Sequence, residues 1–173
     1  MLKLMSLMSV LVCALLSPVT SAFAGSTGQA EVRLQAWQVL TVVEQASVKE
    51  KLQPLQQVRP GDVVEYEARY VNGTAKATND VQITLPVPAG GMQFLPQAGA
   101  LTPPQFASLD GKRFEPIPLK REVRSADGRK STVDVPAAEY RYLRWNLGAL
   151  PVGAERAVRA RMQLPALDAA SRP

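Results

Sequence analysis

The sequence predicts an all-β protein built as an antiparallel sandwich. Three features point there: short segments in which apolar and polar residues alternate, Gly, Pro and Asn turn signals between them, and no convincing long amphipathic helix. The chain has 173 residues, one domain's worth, and can bury a core without disulfides or metals. Its 46% apolar and 20% charged content belongs to a globular protein rather than a charge-driven disordered one.

Residues 1–24 read as a signal peptide, with an uncleaved anchor as the competing reading. Lys3 supplies the positive start and Leu4 to Leu16 the apolar stretch, shorter than the about 20 residues a membrane span needs. Ala22-Phe23-Ala24 places small residues at −3 and −1, so cleavage before Gly25 is expected. Cys13 lies inside the apolar stretch behind Val12, where a lipoprotein signal wants a small residue. No second apolar run is long enough to span, so the expected product is exported, periplasmic or at the cell surface, with no transmembrane segment. Without Cys13 it contains no cysteine, and the chain has no histidine. Without Lys3, 19 basic residues face 15 acidic ones, a net of +4 that can favour anionic surfaces or serve only solubility.

A flexible leader, 25–29, precedes a single domain over 30–165. From Ala30, Val32, Leu34 and Ala36 alternate with Glu31, Arg33 and Gln35, which predicts a half-buried strand. Glu44 to Leu52 is open between a helical turn and a strand. Pro60-Gly61-Asp62 is a turn. The clearest strand follows, with Val64, Tyr66, Ala68 and Tyr70 inward and Glu65, Glu67 and Arg69 outward. Asn72-Gly73 predicts a two-residue hairpin turn after it. Val81, Ile83 and Leu85 then alternate with Gln82 and Thr84 until Pro86.

Residues 95–138 form a proline-rich, basic insertion containing a pair of hairpins. One turns at Asp110-Gly111, between Ala107–Leu109 and Lys112–Phe114. The other turns at Asp127-Gly128 and pairs Lys120–Arg124 with Ser131–Val135. Leu143, Trp145 and Leu147 mark the next strand, and Val158, Ala160, Met162 and Leu164 the last. Residues 166–173 read as a loose tail. Seven to nine strands result, a number such sandwiches commonly have.

The order of signals from Val58 onward narrows the class further. Pro60-Gly61-Asp62 leads into Val64-x-Tyr66, then Asn72-Gly73 and Ala77 to Val81. Leu85-Pro86, Pro88-Ala89-Gly90 and Phe94 follow, and Trp145-Asn146-Leu147-Gly148-x-Leu150 with Gly153 closes the module. This resembles the immunoglobulin-like conserved-repeat domain of bacterial surface proteins, catalogued as domain of unknown function eleven, over roughly Pro54 to Leu164. The resemblance implies an immunoglobulin-like β-sandwich in an exported protein, often a tandem spacer, and brings no catalytic residue or cofactor. The chain departs from that pattern in carrying one copy and a long basic insertion between Phe94 and Tyr140.

Missing histidine removes the commonest general base and metal ligand, and missing mature cysteine removes thiolate chemistry. Glu65 and Glu67 share a strand face about 7 Å apart, a usable carboxylate spacing for glycoside hydrolysis. An ordinary solvated strand face has the same spacing, so no catalytic residue is assigned. Asp62, Asn79, Asp80, Asp110, Asp127 and Asp134 offer oxygen ligands but no calcium-loop run, and turn chemistry accounts for Asp110 and Asp127. No metal or cofactor is expected. Asn72-Gly73-Thr74 matches a glycosylation acceptor, but a turn already explains it.

The insertion holds the candidate anionic-partner surface: Lys112, Arg113, Lys120, Arg121, Arg124, Arg129 and Lys130, against Glu115, Glu122 and Asp127. Side by side, the two hairpins make a cationic ribbon able to bind acidic surface polysaccharide, lipid phosphate or an acidic envelope protein. The alternative is that Lys and Arg protect hairpin edges from pairing. Export and scarce aromatics argue against nucleic acid. The expected function is a non-enzymatic, exported envelope module for structure or interaction, of undetermined oligomeric state. The alternatives are a carboxylate-dependent hydrolase of envelope polysaccharide and a module that lends a strand edge to another exported protein.

Overall fold

Alternation at period two governs the chain, because each segment that shows it in the sequence is a strand. A computed structural model describes residues 28–44, 47–96 and 102–166. The signal segment, most of the leader and the tail from residue 167 lie outside the described residues. Eleven strands are described: β1 (Ala30–Glu44), β2 (Ser47–Pro54), β3 (Val63–Asn72), β4 (Thr78–Pro86), β5 (Gln93–Leu95), β6 (Phe106–Ser108), β7 (Glu115–Pro116), β8 (Lys120–Arg124), β9 (Lys130–Asp134), β10 (Tyr142–Leu150) and β11 (Glu155–Gln163). The number exceeds the expected seven to nine because β2 lies in the segment left open and β5 is too short to show alternation. Among the described residues no helix is long and apolar enough to cross a membrane.

The strands form an antiparallel sandwich. One sheet runs β2-β1-β3-β11-β5, the other β4-β10-β6-β7, and β8-β9 is a separate two-stranded ribbon. Val64, Ala68 and Tyr70 of β3, Val158, Ala160 and Met162 of β11, Val81, Ile83 and Leu85 of β4, and Leu143 and Trp145 of β10 are buried as the alternation predicts. Trp145 is fully enclosed, and its Nε1 donates to the Thr102 carbonyl at 2.9 Å, so the indole buries its apolar body without stranding its donor. Tyr66, expected in mid-core, is only half-buried.

Three local readings change. In the open segment, residues 47–52 belong to β2, which pairs with β1 from Trp37↔Pro54 to Glu44↔Ser47. Asn72-Gly73 is not a two-residue hairpin turn, because β3 and β4 lie in different sheets. Asn72 is instead a buried end residue of β3, and its side-chain amide donates to the carbonyls of Lys76, Leu150 and Pro151. The β6–β7 hairpin pairs Phe106↔Pro116 and Ala107↔Glu115, further from Asp110-Gly111 than expected. Asp110 Oδ1 accepts from the Lys112 and Arg113 amides, which widens the loop.

The half-buried reading of β1 also fails. The β3–β4 and β10–β11 connections cross between sheets at one end, where the Asn72 amide donates to the Ala154 carbonyl and the Gly153 amide to the Asn72 carbonyl. With the observed strand orders, these crossings set β4 opposite β3 and β10 opposite β11. Strands β1 and β2 then extend past the smaller sheet. Val32 and Leu34, on the core-facing side of β1, remain 61% and 57% exposed.

Candidate interaction surface

Strands β8 and β9 pair from Lys120↔Asp134 to Arg124↔Lys130, as the sequence predicts, with β9 starting one residue earlier. Asp127 shapes the turn by accepting from the Arg129 amide, and these contacts hold its carboxyl below the usual range. Gly128 takes the left-handed φ of +80° that the turn requires. Nearly every residue of this ribbon is exposed. An isolated hairpin is marginal in water, so its root must hold it. There the Val135 amide donates to the Leu119 carbonyl at 2.8 Å, and the buried Leu119 amide donates to the Tyr140 hydroxyl at 3.1 Å.

The two hairpins meet at a cleft of about 210 Å³, lined by Asp110, Arg113 and Glu115 from the first and Leu119, Lys120 and Val135 from the second. Of the seven candidate cations, the cleft brings Arg113 and Lys120 together. Several of the others face acids. Arg121 pairs with Glu139 at 2.7 Å, Arg129 with Asp127 at 2.6 Å and Lys130 with Glu122 at 3.1 Å. Arg113 lies 3.4 Å from Glu115. Among the described residues no salt bridge occupies Lys112, Lys120 or Arg124. Sequence reading missed Glu139 as a partner because it lies 18 residues from Arg121.

Glu65 and Glu67 point outward on β3 but are not solvated, at 6% and 3% exposure. Register explains this: Arg161 is paired opposite Glu65 and Arg159 opposite Glu67. Arg161 Nε donates to Glu65 at 2.9 Å and its remaining nitrogens to Glu50 on β2, at 2.8 and 2.7 Å. Glu67 accepts from Arg159 at 2.6 Å and from Arg69 at 2.8 Å, and Arg69 also pairs with Glu155. Burial pushes the Glu67 carboxyl upward, but hydrogen bonds from Arg69 and Arg159 outweigh it and hold the pKa below the usual value. A general acid needs a raised pKa, so Glu67 is tuned the opposite way. Among the described residues no group of three acidic, cysteine or histidine residues is arranged to hold a metal ion.

No family model matches the chain, and no curated protein or solved structure matches it either. The functional reading therefore rests on these surfaces.

Proposed function

We propose that the chain is a non-enzymatic, exported cell-envelope module whose sandwich displays two basic hairpins to an acidic envelope partner, a protein or a surface polymer. The cleft that joins Arg113 to Lys120 carries this reading. Two cations from different hairpins meet there beside Asp110 and Glu115, and the exposed Lys112 and Arg124 add positive charge on the two hairpins. The resemblance to the immunoglobulin-like conserved-repeat domain of bacterial surface proteins supports a display role, and the signal segment supports export. Converging cations strengthen attraction to anions in a salt-dependent way.

The test uses phosphatidylglycerol vesicles and alginate as separate anionic probes, at low and raised salt. Lys112→Gln, Arg113→Gln, Lys120→Gln and Arg124→Gln combined should abolish salt-sensitive binding to at least one probe and leave the melting temperature unchanged. Wild-type binding by this variant, or none by the wild type, removes the hairpins as the contact surface.

A further inference from the structure

The sandwich is open along one side. Four strands end the two main sheets, and three of them carry devices that discourage further pairing. Strand β2 presents Lys49, Glu50 and Lys51 and ends in Pro54, while β5 and β7 are only three and two residues long. Strand β4 carries such features only towards its ends, at Asp80 with its φ of +52° and at Pro86. It runs nine residues, its stretch Val81-Gln82-Ile83-Thr84-Leu85 is uncharged and rich in β-forming side chains, and among the described residues only β10 pairs with it.

What lies below that edge is apolar. Because β4 sits opposite β3, the next row on the larger sheet is β1, whose core-facing residues include Val32, Leu34 and Ala36. Beside them, the half-buried Tyr66 has its hydroxyl pKa raised by desolvation. Exposed apolar residues in register beside an unpaired edge make a step with a hydrogen-bonding wall and a hydrophobic floor.

We infer that this step accepts one extended strand from a partner polypeptide, paired along β4 and laid over Val32 and Leu34. Its chemistry follows from the site. Apolar residues at every second position match the two-residue spacing of Val32, Leu34 and Ala36, and neutral residues between them match Gln82 and Thr84. On the same face, beyond Gln38, Leu40 pairs in register with Lys51 of β2, so the strand carries acidic residues at that end. A second copy cannot supply the strand from its own β4. Two-fold β4–β4 pairing would put the partner's β3 in the row that β1 already fills. This site is independent of the basic hairpins.

The experiment titrates the full chain with a synthetic peptide of four Val-Thr repeats ending in two glutamates, and follows amide exchange and fluorescence anisotropy. Exchange at Gln82 to Thr84 should slow at least tenfold on saturation. Val32→Lys with Leu34→Lys should weaken binding at least tenfold, and Leu34→Ile should retain it. Those positions are exposed, so the lysine variant keeps its fold. The four-glutamine hairpin variant should bind the peptide as wild type does. Unslowed exchange up to millimolar peptide overturns the inference, as does equal binding by the lysine variant. Protection that appears without peptide and rises with protein concentration assigns the edge to a second copy and overturns it too.

Discussion

The Asn72 side-chain amide donates to the Leu150 carbonyl at 2.9 Å, tying the end of β3 in one sheet to the end of β10 in the other. The same amide serves Lys76 and Pro151, and its oxygen accepts from the Thr74 amide and hydroxyl. One buried side chain thus satisfies backbone carbonyls from two connections. Asn72→Leu should destabilise the fold by about 3 kcal/mol or more, since it strands buried acceptors. Thr74→Val should cost only about 1 kcal/mol, since one of the two donors to that oxygen remains. Urea unfolding checks both, with a lower midpoint and an unchanged slope expected.

What the sequence makes legible is each strand's apolar face, not whether anything covers it. In β3, β4, β10 and β11 a second sheet lies over that face, and the residues read as core are mostly core. In β1 the same alternation leaves Val32 and Leu34 exposed, because coverage depends on sheet width. Glu65 and Glu67 show the converse: alternation puts them outside, but arginines 92 and 96 residues away bury them. Asn-Gly misleads at position 72, where the asparagine serves three carbonyls. The candidate cations are plain in the sequence. Their grouping at the cleft depends on how two hairpins pack.

Glu67 sets a pH dependence with a definite sign. Its folded pKa is depressed, so the unfolded chain binds the proton more readily. The stabilisation is therefore fully present above the ordinary carboxylate value of about 4.3 and is lost as pH falls through the folded pKa. Glu67→Gln should cost about 1–2 kcal/mol at pH 7, a modest figure because Arg69 and Arg159 remain partly solvated. Its deficit against the parent should shrink towards pH 3. A deficit that grows with acid in paired urea titrations would reverse the assignment.

The Leu119 amide depends on Tyr140. Leu119 is buried, and the tyrosine hydroxyl is the acceptor for its N–H. Tyr140→Phe keeps the ring against Phe94 but orphans that donor, at a cost of about 1–3 kcal/mol. The loss should appear first at the root of the β8–β9 ribbon, as faster exchange of the Leu119 and Val135 amides. Uniform acceleration over the whole sandwich would mean that the hydroxyl supports the core at large.

Gly73 is required for a steric reason, unlike Gly61. A Cβ at Gly73 would lie 2.5 Å from the Gln29 carbonyl oxygen, and backbone there cannot swing aside. Gly61 has open space around it but a φ of +95°, so a side chain there costs only conformational strain of about 1 kcal/mol. Gly73→Ala must push the start of β1 away from β3, where Ala30 pairs with Asn72 and Val32 with Tyr70. It should therefore cost about 1–3 kcal/mol and release the Val32 and Leu34 amides to exchange, an effect that Gly61→Ala lacks. If both variants leave those amides equally protected, the contact between Gly73 and Gln29 does not hold β1 in register.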